Sequence, residues 1–175
     1  DCNKALHQQS ARYVSAAYAA YYNNEKILRS AFIEEKADNF AIRYISRYAD
    51  CNNSYGKETN RFIDAITPLG HISLSDTALN ICDTIISVSD EYSVTSGFVM
   101  NKLRHYALSN GIDIISCLNP LNPTGNPAHI ILTKEKVGFF TSDSFFNYKA
   151  FAQRNINAKR FIDDSIFKAH KNKIG

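Results

Sequence analysis

The residues whose types could do chemistry cluster in a loop between a predicted strand and a predicted helix. Residues 84–89 are rich in β-branched side chains and predict a strand, and 96–110 carries apolar side chains at helical spacing before Gly111. Because α/β sheets bind ligands at the carboxyl ends of their strands, we expect a site in this loop. The candidate binding residues are small or carry hydroxyl groups: Ser93, Thr95, Ser96 and Gly97.

A phosphate-binding loop in this position has the pattern G-x-x-x-x-G-K-[ST], in which backbone N–H groups surround the phosphates and the lysine neutralises them. Here Asp90 takes the first glycine position, Thr95 the second, Ser96 the lysine position and Gly97 the hydroxyl position. Asp90 and Glu91 add negative charge where phosphate would lie, which costs about 1 kcal/mol at ~4 Å in water and more near a protein surface. The loop therefore has the length of a phosphate site without its chemistry, and we identify no catalytic residues.

Two further features are open to a functional or a structural interpretation. Cys117 and His129 fall on neighbouring predicted strands, but two ligands are too few for a zinc site, so we expect no metal and a buried thiol. The loop 119–127 contains three prolines and could be a binding loop or a plain connector. The spacing of the four cysteines fits no C-x-x-C motif or zinc ribbon. Their even number permits disulfides, but four in 175 residues are far from a disulfide-rich composition, which favours reduced thiols and a cytoplasmic protein.

The remaining segments predict an α/β fold. Apolar positions at three- and four-residue spacing predict helices over 4–33 and 35–49, which we expect to form an antiparallel hairpin. Strand, helix and strand in succession predict a parallel sheet with flanking helices after that hairpin. The other predicted elements are a helix over 75–82 and strands over 61–67, 112–116, 129–133 and 137–141.

Composition and charge limit the partners. With 175 residues, 45% hydrophobic and 21% charged, the chain is globular, and its net charge of +3 is too small to indicate nucleic acid. No apolar run approaches ~18 residues, so we expect no membrane partner. We expect three parts that differ in net charge: a hairpin at 1–60 (net +1), an α/β domain at 61–146 (net −3) and a basic tail with a short helix at 147–175 (net +5).

The predicted hairpin suggests an interaction surface. Phe40, Tyr44 and Tyr48 form one stripe of the second helix, and tyrosine is common along both helices. Interfaces favour tyrosine over interiors. We therefore expect this stripe to pack against a partner or a neighbouring domain.

The order and spacing of these segments resemble an uncharacterised bacterial family of tandem P-loop ATPase-like, ATP-binding proteins. The resemblance covers most of the chain, and the segments that carry it are Ala-Ile-Thr-Pro-Leu-Gly at 65–70, Ile-Ile-Ser-Val at 85–88, Met-Asn-Lys-Leu at 100–103, the run from 109 to Cys117, Asn119-Pro120, and 137–142. In that family a helical hairpin joins two P-loop domains. The resemblance implies that this chain is the hairpin plus a second, degenerate P-loop NTPase-like domain.

The function implied by the resemblance is support of a nucleotide-binding partner domain or subunit, without catalysis in this copy. Two alternatives stay open: residual ATP binding with weak ATPase activity, and a protein-interaction module that uses the tyrosine-rich hairpin. No cofactor is expected if the domain only supports a partner. ATP with magnesium is expected only if the domain retains ATP binding. The expected partner is a P-loop domain or a second copy bound through the hairpin.

Overall fold

The computed structural model describes residues 2–67, 70–143 and 147–170. It is a mixed α/β fold with a mostly parallel six-stranded sheet and flanking helices. The helices are α1 (Cys2–Ala31), α2 (Glu34–Tyr48), α3 (Ser75–Ile81), α4 (Thr95–Ser109) and α5 (Asp164–His170), with 3₁₀ helices at Tyr148–Phe151 and Ala158–Phe161. The strands are β1 (Glu58–Arg61), β2 (Asp64–Thr67), β3 (Gly70–Ser73), β4 (Thr84–Ser89), β5 (Ile114–Leu118), β6 (Pro127–Leu132), β7 (Val137–Ser142) and β8 (Arg154–Asn157).

The main sheet has the order β1-β5-β6-β7-β4-β8, and β2 pairs with β3 in a separate ribbon. β4 runs parallel to both of its neighbours, β7 and β8, and β1 runs parallel to β5. β6 alone is antiparallel to the strands on either side of it. β4 and β5 therefore point the same way, but they are not the adjacent pair that strand–helix–strand succession suggests, because β7 and β6 lie between them.

Both faces of the sheet are covered. On one face α2 and α4 pack on apolar residues of β4, β6 and β7. On the other face α3 and the first 3₁₀ helix pack around Phe140 and Tyr148. Because β6 and β7 are covered on both sides, every residue of these two strands is buried.

The two N-terminal helices exist as predicted, but they do not pack as a hairpin. α2 packs against α4, whereas α1 packs against α5 and the start of α4. The expectation that the α2 stripe seeks a partner is wrong for Phe40 and Tyr44, which are buried in the chain's own core; Tyr48 is half-buried. The Phe40 ring lies 4.3 Å from the Tyr44 ring and 5.3 Å from that of Phe161 in the second 3₁₀ helix.

Most other predicted elements are confirmed within two residues, and β4 matches the predicted range 84–89. Gly111 follows α4 with φ of 75°, as a residue after a helix end requires. The predicted strand 61–67 is instead divided between β1 in the main sheet and β2 in the ribbon. The main sheet also takes β8 from the basic tail, where no strand was expected, so strands from outside 61–146 lie at both of its edges.

No helix among the described residues has both the length and the hydropathy that crossing a bilayer would require.

Candidate functional site

The loop predicted as a site lies where expected, between the end of β4 and the N-terminus of α4. β4 is parallel to β7 and β8, so the loop stands at the carboxyl edge of three parallel strands. The backbone N–H of Asp90 donates to the Ser142 carbonyl at 2.9 Å, which holds the start of the loop on β7.

The side chain of Asp90 turns inward and caps α4. Its Oδ2 accepts the backbone N–H of Ser96 at 2.7 Å, and its Oδ1 accepts that of Tyr92 at 3.1 Å. The first N–H groups of a helix have no partner within the helix, and they attract carboxylates and phosphates alike. The Asp90 carboxyl group thus satisfies a donor that an anion at the N-terminus of α4 would otherwise use.

Burial acts on the pKa of the Asp90 carboxyl group. Only 5% of Asp90 is exposed. Burial raises the pKa of Asp90 above its ordinary value, the two backbone hydrogen bonds oppose that rise, and the nearby carboxylate of Asp143 adds to it. The loop therefore holds two acidic groups close together, which disfavours a further anion.

The middle of the loop is fixed by Ser93. Its φ of 57° lies in the left-handed region, which residues other than glycine rarely adopt. Its hydroxyl group donates to Asp143 Oδ2 at 2.5 Å, just beyond the end of β7. This hydroxyl is thus engaged within the protein.

Helix α1 covers the other side of the loop. Tyr21 is buried beside the first turn of α4, and the side chain of Asn119 interacts with its hydroxyl group. Burial, followed by the charges of Glu25 and Asp90, raises the pKa of Tyr21, and the interaction with Asn119 opposes that rise. A Cβ placed on Gly97 would lie 3.3 Å from Asn126 Cβ and 3.9 Å from the Tyr21 hydroxyl, so glycine permits this close approach.

Two lysines near the loop are engaged in ion pairs. Lys102 is the first basic residue along α4, and its Nζ lies 2.8 Å from Glu34 Oε2 and 3.1 Å from Asp38 Oδ1 on α2. Lys159 Nζ lies 2.9 Å from Glu91 Oε2. Neither lysine takes the position that a phosphate-binding lysine would occupy.

A cavity of about 160 Å³ lies beside the loop, at the ends of β4 and β8. Its walls include Leu28 of α1 and Phe167 of α5, and the Phe167 ring lies 5.7 Å from that of Tyr92. The ion pair of Lys159 and Glu91 is part of its lining. The cavity is apolar with a charged rim and is small for a whole nucleotide.

Cys117 and His129 lie opposite each other on β5 and β6, as the sequence suggested. Both are fully buried, and burial raises the pKa of Cys117 to about 12, so it is a thiol at neutral pH. The sequence did not reveal that Asp64 of β2 joins them: its Oδ2 lies 2.8 Å from His129 Nε2. Among the described residues, no three His, Cys, Asp or Glu side chains are arranged to hold a metal ion.

The proline-rich loop 119–127 lines a second cavity, of about 240 Å³. This cavity is polar: Arg104 of α4 binds Glu58 of β1 through Nε and Nη2, both at 2.6 Å. Ser116 also donates to Glu58, at 2.6 Å. These hydrogen bonds, led by that from Arg104, hold the pKa of Glu58 below its ordinary value.

Of the predicted site residues, Thr95, Ser96 and Gly97 are buried in the first turn of α4, and Ser93 is half-exposed. Sequence reasoning missed that Asp90 accepts the N–H of Ser96, because Asp90 lies before the N-cap position, Val94, at which a capping aspartate is expected. It also missed Tyr21, for which the sequence contains no signal.

Comparison with protein-family models, with curated proteins and with solved structures finds no match for this chain.

Proposed function

We propose that this chain is a non-catalytic, degenerate P-loop NTPase-like domain that supports a nucleotide-binding partner domain or subunit. One observation carries the proposal: the Asp90 carboxyl group accepts the N–H of Ser96 at the N-terminus of α4, where a phosphate would bind. A bound phosphate would have to displace a buried side chain that already satisfies these donors.

Three further features support the proposal. Lys102 is held by two carboxylates of α2, so it does not serve the loop. With Ser96 at the lysine position and Gly97 at the hydroxyl position, the loop lacks the charge stabilisation that phosphoryl transfer needs. The free, buried thiols of Cys82 and Cys117 suit the reducing cytoplasm of a bacterium, where the resemblance would place such a protein.

Isothermal titration calorimetry with ATP and magnesium tests the proposal. We expect no magnesium-dependent binding with a Kd below about 100 μM, because micromolar affinity needs about 8 kcal/mol and this loop offers few contacts to supply it. Micromolar binding would contradict the proposal.

The variant Asp90→Gly shows where any binding occurs. It removes the carboxyl group and supplies the first glycine of the phosphate-binding pattern. If the wild-type chain bound ATP weakly and Asp90→Gly bound it at least tenfold more tightly, the nucleotide would lie at this loop. The alternative of residual ATP binding would then replace the proposal.

A further inference from the structure

The N-terminal part of α1 extends away from the rest of the fold. We call residues 3–20 the overhang. All of its side chains are exposed except Ser10, which is half-exposed. At 1.5 Å per residue the overhang is about 27 Å long.

The overhang continues the face by which α1 packs on its own domain. Tyr21 and Leu28 are buried against α4 and α5, and Val14 precedes them at the same seven-residue spacing. Ala17 likewise precedes the buried pair Asn24 and Ala31. Since residues seven apart share one face of a helix, a single stripe is buried in its C-terminal half and exposed in its N-terminal half. The exposed half also carries Leu6, Tyr13 and Tyr18.

Further exposed apolar side chains lie on residues 62–67 and 70–83, which we call the lobe; it comprises β2, β3 and α3. Ile72 of β3 and Leu74, which follows β3, are both exposed, and Ile72 pairs across the ribbon with exposed Ala65. Phe62 and Leu79 are also exposed. Contiguous exposed apolar patches, unlike single exposed apolar residues, are a feature of interaction sites.

The two surfaces have opposite charge. The overhang contains Lys4 and Arg12 and no acidic residue. The lobe contains three aspartates and neither lysine nor arginine. Asp64 is buried on His129, Asp83 is exposed and lies 3.8 Å from Lys136 Nζ, and Asp76 is exposed. Charge complementarity of this kind selects partners and register.

We propose that the overhang of one chain docks on the lobe of a second copy, and that the two copies do so reciprocally. Pairing of two overhangs would bring Lys4 and Arg12 of one copy near those of the other, whereas the lobe offers aspartates. A two-fold dimer contains the contact twice. Each contact therefore needs only about half of the ~1,600 Å² that stable interfaces commonly bury. Both surfaces stand apart from the loop at Asp90, so this inference does not depend on the proposed function.

Sedimentation of the full chain from about 1 to about 100 μM tests the proposal. We expect a concentration-dependent dimer that Val14→Glu in the overhang and Ile72→Glu in the lobe each weaken at least tenfold. Ile42→Glu is the matched control, since Ile42 on α2 is 44% exposed and Ile72 is 46% exposed. It should leave association unchanged, and circular dichroism should show that all three variants are folded.

An equal mixture of the two interface variants distinguishes this pairing from others. In a mixed dimer the intact overhang of the Ile72→Glu chain meets the intact lobe of the Val14→Glu chain, so one of the two contacts is restored. The mixture should therefore associate more tightly than either variant alone.

Three results would overturn the proposal: a wild-type chain that stays monomeric at about 100 μM, an Ile72→Glu variant that dimerises like wild type, or a mixture no tighter than its components. Equal weakening by Ile42→Glu would also overturn it, because the effect would then follow from added charge alone.

Discussion

The carboxyl group of Asp90 and the backbone N–H of Ser96 lie 2.7 Å apart, six residues from each other along the chain. This one hydrogen bond closes the loop between β4 and α4 and satisfies a donor that a helix start otherwise presents to a ligand. The same contact accounts for the stability of the loop and for our expectation that it does not bind phosphate.

Asp90→Asn should change how stability depends on pH. The pKa of Asp90 is raised from 3.8, so above pH 3.8 the folded chain binds more protons at this position than the unfolded chain. Its contribution to the free energy of unfolding therefore falls as pH rises through the folded pKa. Urea titrations from about pH 4 to about pH 7 should show wild type losing stability relative to Asp90→Asn. Asp76→Asn, at an exposed position, is the control, and a gain with rising pH would contradict the prediction.

Glu58→Gln should change the pH dependence of stability in the direction opposite to Asp90→Asn. The hydrogen bond from Arg104 holds the pKa of Glu58 below its usual value, so the pair stabilises the fold above that value and less as pH falls through the folded pKa. Both side chains are partly exposed, so solvent limits the effect to about 1 kcal/mol. Acid titration should show a smaller loss of stability in Glu58→Gln than in wild type. Glu35→Gln, at an exposed position of α2, should follow wild type.

Tyr44→Ala should destabilise the fold by about 3 kcal/mol or more, because it removes a buried ring that packs on Phe40 and Phe139. Urea denaturation gives the value. Tyr55→Ala removes the same side chain where it is 74% exposed, and it should cost at most about 0.5 kcal/mol. Similar losses in both variants would show that the α2 stripe is not part of the core.

His129 should carry its proton on Nε2. The backbone N–H of Thr141 donates to Nδ1 at 3.1 Å, which leaves Nε2 as the donor to Asp64 Oδ2 at 2.8 Å. Nitrogen-15 chemical shifts of the imidazole ring check this tautomer, and a proton found on Nδ1 would contradict it.

Removal of the acceptor tests the same pair by stability. Asp64→Ala takes away the partner of a buried N–H and should cost about 1–3 kcal/mol, measured by urea denaturation. Asp64→Asn keeps an acceptor oxygen and should cost less. An Asp64→Asn variant as unstable as Asp64→Ala would show that the charge, rather than the hydrogen bond, is what His129 needs.

The sequence predicted best where local pattern and tertiary environment agree. β4 and β7 are apolar runs between turns, and a buried central strand requires that pattern. The sequence did not predict β8, because this edge strand, Arg154–Asn157, has one buried residue, Ile156, and no apolar pattern. The sequence did not predict the break after Arg61. Residues 61–67 form one β-prone run, although they belong to two sheets.

The sequence predicted where the candidate site lies, but only some of the side-chain contacts that form it. Strand and helix patterns located the loop between β4 and α4. Asp90 was interpreted as a charge that repels phosphate, which describes its sign but not its hydrogen bonds. The contact of Tyr21 with Asn119 joins segments almost a hundred residues apart, and no local pattern in a single sequence encodes such a contact.

The late position of β8 affects how the chain folds during synthesis. β4 pairs with β7 on one side, but its other edge pairs only with residues 154–157. Until the ribosome has released those residues, a nascent chain exposes an unpaired edge of a strand whose four central residues are buried in the folded protein, and such edges template aggregation. Chains that stop short of residue 154 should therefore be the species that chaperones bind and proteases remove.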